Sequence, residues 1–183
     1  SYLAQLQKEL KQRRQELEAA AEQLSSERKA QALQLEKAIE TELKDLNFAE
    51  VQFQIHFDKL ADYTAEGVDD VEFLISMNPG QPVKPLAEVA SGGELSRTML
   101  AIKTVMADRD EIETLIFDEI DVGISGRTAQ KVSEKMAVIG RNHQVICITH
   151  LAQIAAQADQ HYLIEKTVDG GVTRTEIRKL SEE

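Results

Sequence analysis

The sequence predicts an α/β protein in which a mainly parallel sheet flanked by helices is carried on a long N-terminal helix. Three observations predict it. Tyr2 to about Leu46 is free of Gly and Pro and rich in strong helix formers, the pattern then switches to two-residue alternation, and short apolar strands alternate with amphipathic helices beyond Ser91. The 183 residues suffice for one core with an appendage, which places a coiled-coil arm at 1–46 and a globular part at 47–183.

In the first segment Leu3, Leu10, Leu17 and Leu24 recur every seven residues, with Leu6 and Ala20 at companion positions and Arg13 and Glu27 interrupting that second row. The register breaks at Ser25 and Ser26. Leu35, Ile39, Leu43 and Leu46 then follow at spacings suited to a helix docked on a core. One hairpin of a helical bundle is the alternative reading, and no second long helix of matching pattern follows to complete it.

Beyond Asn47, Val51, Phe53, Ile55 and Phe57 alternate with polar residues as a half-buried strand does. A second strand is expected from about Val71 to Met77, after an acidic turn containing Gly67, Asp69 and Asp70, and the two should pair antiparallel. All three prolines fall between Pro79 and Pro85, which predicts a stiff connecting loop. Ser91-Gly92-Gly93 then opens a helix from about Glu94 to Ala107, marked by Leu95, Met99, Ile102 and Met106. The strand Leu115–Phe117 ends in Asp118-Glu119. A glycine-bearing loop leads to a helix from about Arg127 to Ile139 with Gly140 as C-cap, and the strand Val145–Ile148 ends in Thr149-His150. Strand, helix, strand in alternation predicts parallel pairing, with ligands beyond the carboxyl ends of the strands. His161–Val168 and Val172–Ile177 flank Asp169-Gly170-Gly171 as a hairpin.

The formal net charge is −11, and it is uneven: residues 1–46 hold 8 basic and 9 acidic residues, the remainder 13 and 23. Such a surface is unsuited to wrapping nucleic acid non-specifically, because that binding rests on Lys and Arg at phosphates; any DNA contact must be local or lie elsewhere. No apolar run reaches membrane-spanning length and no signal-peptide pattern opens the chain, so a cytoplasmic protein is expected. The single cysteine, Cys147, sits in an apolar run and reads as a small core residue.

Adjacent acids at the end of an apolar strand suit phosphoryl chemistry: Asp118 can hold Mg²⁺ while Glu119 orients or deprotonates a water. Ser91, Gly92 and Gly93 at a helix start offer open N–H groups and the positive end of a helix dipole to a phosphate. His150 can donate to a phosphate oxygen. Each signal alone has an ordinary structural explanation: solubilising acids, an N-cap, a hydrogen-bonding histidine. Their order is the informative feature.

The run Ala90-Ser91-Gly92-Gly93-Glu94-Leu95-Ser96-Arg97, the run Leu115–Gly126 and the run Ile148–Gln153 together resemble the C-terminal part of the RecN family of bacterial SMC-like DNA repair ATPases. The resemblance implies the C-terminal half of an ABC/SMC-type P-loop NTPase head whose long helix is the returning arm of an antiparallel coiled coil. It implies ATP and Mg²⁺ as cofactors. Ser91, Gly92, Gly93 and Glu94 then correspond to the signature motif that meets the γ-phosphate of ATP on an opposing head, Asp118 to the Walker B magnesium-site acid, Glu119 to the general base and His150 to the switch histidine. Ala90 stands where transporter-type relatives have leucine. Ser125 stands where the loop after Walker B usually carries aspartate, with Asp121 as a substitute or a loop cap. The sequence contains no G-x-x-x-x-G-K-[ST] run, so the expected partner is an N-terminal half carrying that loop. A second head in a homodimer and DNA in the full-length protein complete the expected partners, with no membrane and with nucleoid association during repair. Two rival readings are an ABC transporter subunit, against which the long arm argues, and a non-catalytic coiled-coil interaction module.

Overall fold

The computed structural model describes residues 2–89 and 91–181. The chain divides into two compact units, residues 1–90 and 91–183.

In the first unit α1 runs unbroken from Tyr2 to Asp45, about 66 Å at 1.5 Å per residue. The sequence supplies neither Gly nor Pro to stop it before Asn47, which takes a positive φ of 73°. Leu3, Leu6, Leu10 and Leu17 are exposed, whereas Ile39, Leu43 and the following Leu46 are fully buried with Phe53 and Ile75. The seven-residue stripe thus lies outside the core, and the four-residue stripe builds it. β1 (Gln52–Thr64) and β2 (Gly67–Ser76) pair antiparallel, with a register shift between Lys59 and Thr64. β2 begins four residues earlier than the expected Val71. Asp69 and Asp70 belong to its ladder, and the turn lies at Ala65-Glu66 before Gly67, whose φ is +99°.

Asp69 is tolerated in the strand because α1 satisfies it. Ser25 Oγ donates to its carboxylate at 2.6 Å and Arg28 Nη1 at 3.1 Å, and these contacts, the hydroxyl foremost, hold its carboxyl below the ordinary range. Two further side chains of α1 reach the free edge of β1: Glu40 accepts the N–H of Phe53 at 2.9 Å and Glu36 that of Ile55 at 2.7 Å. An unpaired strand edge is thereby covered by helix carboxylates. The proline segment carries a two-residue strand, β3 (Lys84–Pro85), on the far side of β2, and a single helical turn at Leu86–Glu88. Pro85 fits there because β3 pairs on one side only.

The second unit starts with α2 (Gly92–Met106) and continues through β4 (Thr114–Phe117), α3 (Gly126–Ile139), β5 (Gln144–Cys147) and α4 (Ala152–Ala155). β4 and β5 are parallel, in the register Thr114↔Gln144 to Phe117↔Cys147. α2 packs on α3 and α3 on α4, burying Leu100, Ala101, Ile102, Ala129, Val132 and Ile139. Gly140 is the C-cap of α3, with its N–H bonded to Met136 O, but at φ −61° it stays right-handed and needs no glycine conformationally. A hairpin, β6 (Tyr162–Asp169) and β7 (Val172–Lys179), closes the unit through Gly170 and Gly171, both at positive φ. Its turn therefore has the backbone that two glycines supply. Among the described residues the parallel part of the fold is the β4–β5 pair, and the other two sheets are antiparallel.

Candidate functional site

β4 delivers Asp118 and Glu119 to the carboxyl end of the parallel pair, where both are exposed. The chain turns sharply there. Glu119 takes φ 57°, a left-handed conformation unusual for a side chain with a β-carbon. Local bonds compensate: Asp118 Oδ1 accepts the Glu119 N–H at 2.8 Å, and Glu119 O accepts the Val122 N–H at 3.1 Å.

The start of α2 lies against this acidic turn. Ser91 is its N-cap, its hydroxyl accepting the Glu94 N–H at 3.4 Å. A β-carbon on Gly92 would overlap Glu119 Oε2 and stand 3.0 Å from its Cδ. One on Gly93 would lie 3.0 Å from Glu119 O and 3.1 Å from Val122 Cβ. Gly93 is held to glycine by backbone and by Val122, whereas at Gly92 the obstacle is the end of the Glu119 side chain. One turn on, Ser96 Oγ donates to Asp118 O at 2.7 Å, and Arg97 Nη1 donates to Val122 O at 2.8 Å and Ile120 O at 3.3 Å. Burial draws the Arg97 guanidinium below its ordinary value, with Glu94 pulling the other way. Ser91, Gly92, Gly93 and Glu94 are thus brought together with Asp118 and Glu119 of the same chain.

His150 follows β5 and connects to the same turn through Asp121. The Asp121 carboxylate is buried, its side chain 5% exposed, while the imidazole is 74% exposed. Its Oδ2 accepts the Thr149 hydroxyl at 2.5 Å and the His150 N–H at 2.9 Å, and lies 3.0 Å from His150 Nδ1. Burial pushes the Asp121 carboxyl up, but the Thr149 hydroxyl, the His150 N–H and the imidazole together outweigh it and hold the group below its ordinary value. Asp121 faces inward to the end of β5, and Ser125 is exposed at the N-cap of α3. Ser96, Arg97 and Thr149 were not singled out by the sequence reading. No signal in the sequence marks Arg97, because its burial and its bonds to Ile120 O and Val122 O are made across the fold. Cys147 is half-buried, and burial, helped by the charges of Asp121 and Asp118, pushes its thiol up to about 11.

The residues suit a magnesium-bound phosphate. Among the described residues no group of three or more His, Cys, Asp or Glu side chains is gathered for a metal, but Mg²⁺ is commonly held by one or two carboxylates plus phosphate oxygens and waters, and exposed Asp118 can supply one. At the α2 terminus the Glu119 carboxylate fills the space beside Gly92, so a phosphate reaches the α2 N–H groups only with that exposed side chain swung aside. Among the described residues no helix is long and apolar enough to cross a membrane.

No family model matches the chain. It is 44% identical over 185 residues to the DNA repair protein RecN of Halalkalibacterium halodurans, covering 99% of this chain and 33% of that protein. It is 48% identical over 162 residues to the DNA repair protein RecN of Treponema pallidum, covering 85% of this chain and 28% of that one. The chain therefore spans about a third of the length of the curated relatives it matches. In fold it resembles the crystal structure of the Smc head domain with a coiled coil and joint from Pyrococcus yayanosii, with a TM-score of 0.55 at 24% identity over 98% of this chain and 35% of that chain. On this evidence the chain has an SMC head-type fold and belongs to the RecN family of DNA repair proteins.

Proposed function

We propose that the chain is the C-terminal half of an ATPase head, with residues 1–46 as a coiled-coil arm and 47–183 as the half-head. The head works in DNA double-strand break repair in the cytoplasm, at the nucleoid. One observation carries this reading. The turn from Asp118 to Val122 is bonded on one side to the start of α2 through Ser96 and Arg97, and on the other to His150 through Asp121. The signature turn, the acid pair and the histidine are thereby linked in one network. A second feature supports a missing half: Ile116, Ile146 and Ile148 are 67%, 44% and 47% exposed on one face of the β4–β5 pair, whereas parallel sheets are normally covered on both faces.

In this reading Asp118 holds Mg²⁺, and Ser91 to Glu94 present backbone N–H groups to the γ-phosphate of a nucleotide on an opposing head. Bound ATP with Mg²⁺ supplies the scissile phosphoanhydride and the metal's positive charge. The Glu119 carboxylate takes the proton of an attacking water. His150 contacts a phosphate oxygen. The protein contributes position and charge more than covalent chemistry. Head closure and release then move the arms and regulate DNA engagement.

The test is ATP turnover, with and without DNA, after a half-head carrying a Walker A loop is supplied. Glu119→Gln should keep nucleotide binding and slow turnover by about 100-fold or more, the range for losing a general base. Unchanged turnover overturns the assignment.

A further inference from the structure

We infer that Asp121 is the positioning residue of His150, fixing both the backbone and the ring of that histidine at the sheet edge. This rests on the reading of His150 as the phosphate-contacting group.

Three contacts to one oxygen carry the inference. Oδ2 of Asp121 takes the Thr149 hydroxyl, the His150 N–H and the approach of His150 Nδ1 at 3.0 Å. All three reach across 28 or 29 residues to two positions just beyond β5. The carboxylate also takes its own backbone N–H, but the contacts made across the fold are all to the stretch that follows β5. The Thr149 hydroxyl also accepts the Leu151 N–H at 3.0 Å, so it is itself held in place to donate to Asp121. The carboxylate is buried while the ring it touches is mostly in solvent.

The chemistry follows from the acceptor. A carboxylate oxygen beside Nδ1 attracts a protonated nitrogen and repels a bare lone pair, so Nδ1 carries the proton and Nε2 is turned outward, where it donates to a phosphate oxygen once it too is protonated, the imidazolium then bridging Asp121 and the phosphate. Without the carboxylate an imidazole that is 74% exposed would sample several rotamers and both tautomers. The ordering cost would then be met at each encounter with a phosphate.

The test reads the ring and the reaction separately. Long-range proton–nitrogen correlation spectra of this chain, at alkaline pH where the imidazole is neutral, should show His150 protonated on Nδ1. Asp121→Asn, whose amide can donate as well as accept, should move the population toward Nε2–H. In the head completed with a Walker A half, Asp121→Asn should lower turnover on the order of ten-fold, the lower end of what losing an imidazole-orienting partner costs at metal sites, with nucleotide affinity unchanged. An Nε2–H tautomer in the unmutated chain overturns the inference without any variant. So does turnover that falls in His150→Ala but not in a folded Asp121→Asn. If both variants keep full turnover while the unmutated ring is Nδ1–H, the phosphate-contact reading fails and the positioning role falls with it.

Discussion

The Glu119 carboxylate occupies the space that a side chain on Gly92 would need: a β-carbon there would lie 3.0 Å from Glu119 Cδ. The acid assigned to the water and the first glycine of α2 are thus in direct steric register within one chain.

The two glycines should respond differently to alanine. At Gly92 the obstacle is the end of a flexible carboxylate that can swing into solvent, so Gly92→Ala should cost under about 1 kcal/mol of stability while displacing Glu119. At Gly93 the obstacles are Glu119 O and Val122 Cβ at 3.0 and 3.1 Å. These belong to a turn pinned by Asp118 and Arg97, so Gly93→Ala should cost about 1–3 kcal/mol. Urea denaturation of the two variants measures the difference, and equal costs would contradict it.

Removing the carboxylates over the β1 edge should weaken the first unit. Glu36→Ala and Glu40→Ala each leave a strand N–H without its acceptor, at about 1 kcal/mol apiece. The double variant should also associate, because an open strand edge templates pairing with another chain. Denaturation curves and light scattering against concentration check both effects.

Histidine 143 should make the second unit pH-sensitive. Its Nε2 lies 3.0 Å from Ala107 O and its Nδ1 2.7 Å from Ile112 O, so the doubly protonated ring satisfies both carbonyls. The Ala107 carbonyl, then that of Ile112, raises its pKa above 6.5, with the Asp110 charge adding and burial opposing. A raised folded value means that the stabilisation is fully present below the unfolded pKa and is lost as pH rises through the higher folded one. Unfolding midpoints of the chain should therefore fall across that window, and His143→Gln should flatten the fall.

The Cys147 thiol should be a poor nucleophile. A rise from 9.0 to about 11 cuts the thiolate fraction roughly 100-fold at neutral pH. Alkylation by iodoacetamide should be slower by at least that factor in the folded chain than in urea. Equal rates would show the thiol to be freely accessible.

The sequence made α1 legible because nothing in 2–45 can stop a helix. The acid pair, which alone has an ordinary explanation as solubilising acids, stood out only by its order after the Ser-Gly-Gly helix start and before the strand ending in Thr149-His150. β2 was misread at its start for a physical reason. Asp69 and Asp70 have turn-like composition, yet Asp69 is satisfied by Ser25 and Arg28, 44 and 41 residues away, and Asp70 pairs opposite Asp58 in the ladder. No local pattern announces such partners. The inward turn of Asp121 was hidden for the same reason: loop composition places it near Ser125, and only the end of the neighbouring strand shows where it points. Ser91 to Glu94, Asp118, Glu119 and His150 were proposed as site residues from type and order, whereas the bonds of Ser96, Arg97 and Thr149 to the turn between them depend on tertiary contact.

The attachments of α1 to its hairpin are spread along the helix, from Ser25 and Arg28 near the turn to Glu36 and Glu40 over β1. A pull along the axis from the exposed N-terminal stretch of such a rod loads these rivets in shear, all at once, instead of peeling them off one by one. The helix and its sheet would then behave as a stiff lever, able to convey torque without coming apart.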